Sequence, residues 1–252
     1  MDLRLIRNAT MRLRYAGLDL LTDPYLAARH TLPSYAGKSL NPLVDLPCAP
    51  EEVVSGMDVT IISHMHGDHF DAAGQALLPK DAFILCQPGD EARIVAKGFT
   101  RVAPVAGTWQ RDGLTLTRVP AQHGTGHVLG EMGVASGFVL QAVGEPTVYW
   151  AGDSVWCDAV AETITRFAPD VIITHSCGAT WDEGVLIVMD AAQTIETLKA
   201  APRAVVVAIH MEAVDHGTLS RGDLRRAASD AGISPDRLLI PENGATITLA
   251  AR

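Results

Sequence analysis

The stretch HMHGDH, residues 64–69, gathers three of the chain's nine histidines and one aspartate into six positions. It directly follows DVTIIS, whose apolar and β-branched residues predict a buried strand. In extended backbone, residues two apart point to the same side, so His64 and His66 can bind one ion together. Asp68 and His69 then face a neighbouring point. The stretch therefore predicts ligands for metal at the end of a strand.

An isolated His-x-His pair is more often a surface accident than a pair of ligands. Four ligand-type residues within six positions, directly after an apolar strand, are instead the sequence signature of a metal site. Gly67 is expected to let the chain turn sharply between the two halves of the stretch. We therefore expect one nitrogen-rich site with an open position for water, and a second site beside it.

Four other apolar runs end on a residue that can bind metal. These are Asp23 after LLT, His123 after VPAQ, Asp153 after VYWAG and His210 after VVVAI. Function collects where loops leave a rigid sheet, so strand ends that are distant in sequence can converge at one edge. These strand ends can therefore contribute ligands to one site although they are distant in sequence.

Three further histidines leave alternatives open. His127 competes with His123, and His216 competes with His210; the position at the strand end favours the nearer residue in each pair. His175 also ends an apolar run, either as a core or edge histidine or as a residue that faces the cavity. The pattern alone does not separate these alternatives.

Composition narrows the class of protein. The 252 residues carry a net charge of −9 and no basic stripe, which disfavours a nucleic-acid partner. The four cysteines form no CxxC pair, so neither a disulfide framework nor a thiolate zinc site is expected. No signal core or membrane-length apolar run is found. These features predict a cytoplasmic protein without a membrane partner.

Short apolar runs between turn signals predict nine strands, and helical segments lie between some of them. The strand runs are LDLLTD, DVTIISH, AFILCQP, GLTLTRV, SGFVLQA, TVYWAGD, DVIITHS, AVVVAIH and ATITLAA. The helical runs are AAGQALLPK, GDEARIVAKG, DAAQTIETLKAA and RGDLRRAASDAG. No low-complexity linker divides them, so we expect one domain over 1–252. The irregular stretch 24–48 is expected to cover a pocket.

At this point the residues resemble a known family. His64-x-His66-x-Asp68-His69 is similar to the HxHxDH signature of the metallo-β-lactamase superfamily. The other four strand-end residues follow the order of that superfamily's remaining motifs. The resemblance implies an α/β (α+β) fold, a four-layer αββα sandwich with the site at one edge between two sheets. AGDS, HMEAVDH and PENGATITL resemble the branch that includes L-ascorbate-6-phosphate lactonase, with departures at Ser154 and Met211.

The resemblance also implies two divalent metal ions, zinc or manganese, and names their ligands. The first ion would take His64, His66 and His123; the second would take Asp68, His69 and His210; Asp153 would bridge them. Asp23 would orient a ligand histidine from behind. Asp68, Asp153 and His210 are the expected catalytic residues. The candidate substrate contacts are His127, Trp156, Tyr35, Asn41 and His216.

The predicted function is a dinuclear metal-dependent hydrolase. A metal-bridging hydroxide would attack a small ester, lactone or amide, because two ions about 3.5–4 Å apart lower the pKa of a shared water. The expected partner is a small, anionic substrate. The sequence leaves open whether the protein forms a homo-oligomer. The alternatives are a metal-dependent phosphodiesterase, a di-iron redox protein and a non-catalytic metal-binding protein.

Overall fold

Sixteen strands and seven helices occupy residues 1–251, the part of the chain that this computed structural model describes. The strands are β1 (Asp2–Arg7), β2 (Thr10–Tyr15), β3 (Leu18–Thr22), β4 (Val59–Ile62), β5 (Phe83–Cys86), β6 (Arg101–Pro104), β7 (Thr108–Arg111), β8 (Leu114–Ala121), β9 (Ala135–Gln141), β10 (Val148–Trp150), β11 (Val171–His175), β12 (Thr180–Trp181), β13 (Val185–Leu186), β14 (Val205–Ile209), β15 (Leu238–Leu239) and β16 (Thr246–Thr248). The helices are α1 (Pro50–Val54), α2 (Ala72–Leu77), α3 (Glu91–Val95), α4 (Val128–Met132), α5 (Asp158–Phe167), α6 (Ala191–Ala200) and α7 (Arg221–Asp230).

Two seven-stranded sheets organise these elements. The first has the order β16-β1-β2-β3-β4-β5-β6, and the second has the order β15-β14-β11-β10-β9-β8-β7. Each sheet has an antiparallel half and a parallel half. The parallel strands are β3 to β6 in the first sheet and β10, β11, β14 and β15 in the second. Parallel neighbours bring their carboxyl ends to one edge, which is where ligands collect in such sheets.

Apolar side chains form three layers of contact around the sheets. The core between the sheets includes Leu13, Leu20, Leu116, Trp150 and Ile173. Helices α1, α2 and α3 cover the outer face of the first sheet, and helices α5, α6 and α7 cover that of the second. The predicted four-layer αββα sandwich is confirmed. Within residues 1–251, no helix has the length and apolar character needed to cross a bilayer.

The predicted strands and helices are all present, and the capping residues explain two of the helix starts. The Asp190 side chain accepts a hydrogen bond from the Gln193 backbone, and Ser220 forms a capping box with Asp223. Helices α1, α4 and α5 were not predicted; their N-caps, Ala49, His127 and Cys157, make no side-chain cap hydrogen bond that would mark a start. The stretch 24–48 has no helix or strand, and one antiparallel bridge within it joins Leu32 to Asn41.

Candidate metal centre

Strand ends from both sheets meet at one edge of the sandwich. The first sheet contributes Asp23 after β3 and the HMHGDH stretch after β4. The second sheet contributes His123 after β8, Asp153 after β10 and His210 after β14. All five predicted metal-binding histidines are brought together there, with both predicted ligand aspartates. Of the seven residues only His66 is more than slightly exposed.

Three imidazoles form the first cluster. His64 Nε2 lies 3.0 Å from His66 Nδ1, which lies 3.3 Å from His123 Nε2. Tetrahedral zinc with bonds of about 2.0–2.1 Å separates two ligand nitrogens by about 3.3 Å. The spacing of the cluster therefore fits a divalent cation at its centre.

A carboxylate and two imidazoles form the second cluster. His210 Nε2 lies 3.3 Å from both His69 Nε2 and Asp68 Oδ2, and the last two atoms are 3.8 Å apart. These distances also suit the edges of a small coordination polyhedron. The mixed oxygen and nitrogen donors suit zinc and manganese alike.

Asp153 lies between the two clusters. Its Oδ2 is 3.3 Å from His123 Nε2 and 3.8 Å from His64 Nε2 in the first cluster, and 3.2 Å from His69 Nε2 in the second. One carboxylate oxygen thus faces ligand atoms of both groups. This is the position that a shared ligand requires.

Burial prepares the first cluster for metal. It lowers the pKa of His64 well below its usual value, and it also lowers the pKa values of His66 and His123. Neutral imidazole is the form that binds metal. The Nδ1–H of His123 donates to the carbonyl of Ile187 at 2.8 Å, which leaves Nε2 as the unprotonated ligand atom.

The second cluster holds more negative charge. Burial alone would lower the pKa of His69, but Asp153, Asp68 and Asp23 raise it to about 10. Burial would likewise lower the pKa of His210, yet Asp153 and Cys177 help to raise it well above its usual value. Without metal, protonated His69 and His210 therefore balance the charge of these carboxylates. A divalent cation that displaced those protons would take over the same role.

Contacts behind the ligands fix their orientation. Asp23 Oδ2 accepts from His69 Nδ1 at 2.7 Å, and its Oδ1 accepts from the Ser63 backbone at 2.7 Å. Asp23 therefore lies where the resemblance places an orienting residue. Cys177 Sγ lies 3.4 Å from His210 Nδ1 on the side away from the cluster. Metal-bound imidazoles generally need such a partner on their other nitrogen.

Sequence reasoning missed Asn8, in the turn between β1 and β2. Its Nδ2 donates to the Asp68 carbonyl at 2.9 Å and lies 3.1 Å from His210 Nε2, while its carbonyl accepts from the His210 backbone at 3.1 Å. Asn8 and His210 both have left-handed backbone, with φ of 57° and 64°. Non-glycine residues in that region cluster at functional sites. Asparagine tolerates left-handed backbone better than most residues do, and this is the one sequence property that could have pointed to Asn8.

His175 also lies in the site, behind Asp153. It is fully buried, and burial lowers its pKa to about 4, against the hydrogen bond and charge of Asp153. Its ring stacks on that of His210 at a centroid distance of 4.9 Å. Of the two alternatives that the sequence left open, the structure shows a core histidine, which does not line the cavity but contacts the site through Asp153.

A cavity of about 270 Å³ opens over the clusters. Two candidate substrate contacts, Tyr35 and His216, line it, with their rings in edge contact at 5.0 Å. The other lining residues outside the predicted ligands are Gly67, Glu131, Met132, Trp181 and Ile187. The sequence did not predict that α4 and the β12–β13 hairpin form one side of the cavity, because no sequence motif distinguishes their residues.

Three other candidate contacts lie elsewhere. Trp156 packs against the helices on the outer face of the second sheet, and exposed His127 pairs with Asp182 at 2.7 Å. Asn41 is buried, with its amide nitrogen 2.9 Å from Asp215, and it supports the loop that carries Tyr35. The structure corrects the expectation that these three residues line the cavity. Proximity in sequence to a ligand or to the loop did not determine where their side chains point.

The role expected of Gly67 also needs correction. Its φ is not in the left-handed region, so the turn does not require glycine; instead, a Cβ there would lie 3.1 Å from the hydroxyl of Tyr35. Gly152, just before Asp153, is the conformationally demanding glycine. Its φ is 65°, and a Cβ would lie 2.4 Å from the Ser136 carbonyl oxygen. The backbone that presents Asp153 therefore needs glycine.

Comparison with known proteins agrees with this geometry. The beta-lactamase superfamily domain profile matches residues 19–211, a range that contains the whole HMHGDH stretch and all four of the other strand-end residues, from Asp23 to His210. The chain belongs to this superfamily. A relative from Bacillus subtilis, UPF0173 protein YddR, is 36% identical over 98% of this chain and 100% of its own length. This match places the chain in the UPF0173 family.

Two solved structures are similar over nearly the whole chain. The isothiocyanate hydrolase from Delia radicum gut bacteria is 36% identical, covers 100% of both chains and superposes with a TM-score of 0.93. A possible metal-dependent hydrolase from Veillonella parvula is 32% identical over 99% of both chains, also with a TM-score of 0.93. The protein is thus a metal-dependent hydrolase of the superfamily. The finer likeness to the lactonase branch is not confirmed.

Proposed function

We propose that this protein is a dinuclear metal-dependent hydrolase that adds water to an electrophilic carbon of a small, uncharged substrate. The observation that carries the proposal is the pair of clusters beside one cavity, with Asp153 Oδ2 facing both. Each cluster would hold one divalent ion, zinc or manganese. The proposed ligands are His64, His66 and His123 for one ion, Asp68, His69 and His210 for the other, and Asp153 for both.

Two ions bound there would supply a shared water with a pKa near neutrality and positive charge for an anionic transition state. The chain's own residues would set its surroundings. Asp68 borders the cavity, and although burial would raise its pKa, His69 and His210 hold it well below its usual value. Ionised Asp68 can therefore accept a proton from the attacking water and return it to the leaving atom.

The cavity lining favours an uncharged substrate over the anionic one expected from the sequence. Besides the metal ligands, its walls include four aromatic or aliphatic side chains and three other residues: Tyr35, Met132, Trp181 and Ile187, with Gly67, Glu131 and His216. Among the described residues that line it there is no lysine or arginine to pair with an anionic substituent. An apolar substituent would find aromatic and aliphatic contacts at this wall.

An isothiocyanate is the substrate class that we place first. One relative with 36% identity over the full chain is named an isothiocyanate hydrolase. In R–N=C=S the central carbon is electrophilic, the molecule is uncharged, and R is commonly apolar. Addition of water gives a thiocarbamic acid, which breaks down to R–NH₂ and carbonyl sulfide. Small esters, lactones and amides come second, because the same attack on a carbonyl carbon would serve them.

Phosphodiester cleavage is less well supported. A phosphodiester carries a negative charge beyond the reacting centre, and the described lining offers no cation away from the ligand clusters. A non-catalytic role conflicts with membership of a hydrolase family.

The test is a hydrolysis panel with metal-loaded protein whose metal content per chain has been measured. It contains alkyl and aryl isothiocyanates, esters, lactones, amides and phosphodiesters, each with and without chelator. We expect two ions per chain and chelator-sensitive release of amine from isothiocyanates. Asp153→Asn should lose metal and turnover, whereas Asp58→Asn, an exposed aspartate remote from the cavity lining, should keep both. Retention of full metal binding by Asp153→Asn would reject the proposed centre.

A further inference from the structure

His175 uses both of its ring nitrogens inside the protein. Trp150 Nε1 lies 2.9 Å from His175 Nε2, and His175 Nδ1 lies 2.5 Å from Asp153 Oδ1. An indole N–H can only donate, so His175 Nε2 must accept. The proton of the neutral ring is therefore on Nδ1, and Nδ1–H donates to the carboxylate. Trp150 thus sets the tautomer of His175.

This arrangement excludes His175 from the metal ligands, although its position suggests otherwise. A ligand atom of His175 lies within 4.8 Å of ligand atoms of His69, Asp153 and His210. A metal-binding nitrogen needs a free lone pair, and His175 has none: one nitrogen carries the proton and the other accepts from the indole. The task of His175 is to hold Asp153.

We propose that Trp150 and His175 form a positioning pair that fixes the Asp153 carboxylate so that Oδ2 alone is shared between the two ions. The inference rests on the proposed function, because it takes Asp153 as the ligand common to both clusters. Oδ1 is held by His175 and lies 3.8 Å from His210 Nε2 of the second cluster, whereas Oδ2 faces both clusters, with His123 Nε2 and His69 Nε2 at 3.3 and 3.2 Å. The torsion that turns an aspartate carboxylate is broad and soft, so a fixed donor decides which oxygen faces the metals.

The pair is anchored in the buried core and on two paired strands. Trp150 is 1% exposed in the core between the sheets, and its ring stacks on Phe138 at a centroid distance of 5.7 Å. Trp150 and His175 stand at the ends of the adjacent parallel strands β10 and β11, where Trp150 pairs with Ile173. A site held by strands is more precise than one held by loops.

Four variants separate positioning from packing. His175→Asn keeps a side-chain N–H near the place of Nδ1, whereas His175→Leu removes every donor. Trp150→Phe removes the indole N–H and keeps an aromatic ring. Trp109→Phe is the matched control, because Trp109 packs against the same core and its indole makes no hydrogen bond among residues 1–251.

The readout is metal binding, measured as ions per chain, as dissociation constants from chelator competition, and as visible absorption of the cobalt-loaded protein. Loss of an orienting partner behind a ligand typically weakens metal affinity about 10–100-fold. We expect such a loss for His175→Leu, about tenfold for Trp150→Phe, and less than about threefold for His175→Asn. Trp109→Phe should match the wild-type protein. Circular dichroism and melting of metal-free protein check that each variant folds.

The outcomes distinguish this inference from the proposed function. Wild-type affinity in His175→Leu, or equal damage from His175→Asn and His175→Leu, overturns the positioning pair. If either result occurs while the wild-type protein binds two ions and Asp153→Asn loses them, the centre stands and only the pair falls. If Asp153→Asn binds metal as well as the wild-type protein does, the proposed centre itself fails.

Discussion

Asp215 holds the loop that carries Tyr35 over the cavity, and its replacement by asparagine tests how much that loop contributes. Its Oδ1 accepts from the Tyr35 backbone and from the Asn41 amide, both at 2.9 Å. Its Oδ2 accepts from the Ser34 hydroxyl and, at 3.1–3.3 Å, from three backbone N–H groups, those of Ala36, Lys38 and Ser39. In Asp215→Asn, whichever oxygen becomes the NH₂ group will face at least two donors.

The magnitude follows from that count. A hydrogen bond to a charged group contributes about 1.5–3 kcal/mol, so two lost bonds correspond to about 3–6 kcal/mol before water replaces part of them. Because the loop is partly exposed, we expect a decrease of about 2–3 kcal/mol in the free energy of unfolding. For a chain of this size that lowers Tm by about 4–12 °C. Loosening of Tyr35 should also raise KM for an apolar substrate.

The assay is thermal unfolding of metal-loaded protein with KM measured on the same samples. The control is Asp58→Asn, because the Asp58 carboxylate accepts one exposed hydrogen bond from the Asp19 backbone N–H. Burial would raise the pKa of Asp215, but the surrounding O–H and N–H groups hold it below its usual range. The stabilisation that Asp215 gives to the folded protein is therefore present above about pH 4, and it decreases as the pH falls below that value. An unchanged Tm and KM in Asp215→Asn, or a Tm difference that persists unchanged in acid, would refute the reasoning.

Two glycine substitutions near the site should behave in opposite ways. Gly152→Ala places a Cβ against the Ser136 carbonyl at positive φ. We therefore expect the free energy of unfolding to fall by about 2 kcal/mol or more, together with loss of metal. Urea titration and metal analysis measure the two effects. Gly67→Ala meets only the tip of Tyr35, so metal content should be unchanged, the cost in stability should stay below about 1 kcal/mol, and KM should rise. Equal metal loss in both variants would contradict this contrast.

The sequence by itself determined the local features of this protein. Apolar runs marked nine strands of the two sheets, β3 to β5, β8 to β11, β14 and β16, and caps at Asp190 and Ser220 marked two helices. His64 and His66 share a side because residues two apart in extended backbone do so whatever the surrounding fold. The strand-end placement of the remaining ligands also followed from pattern, although their convergence needed the family resemblance.

Only the tertiary structure decided the contacts that join distant segments. Asn8 reaches His210, and Asp215 holds the loop around Tyr35, across separations of 202 and 180 residues. No local pattern encodes such pairs, because they depend on how the two sheets stack. The same is true of His175: the sequence shows a histidine at a strand end, but its tautomer and its exclusion from the ligands depend on the indole of Trp150 in the neighbouring strand.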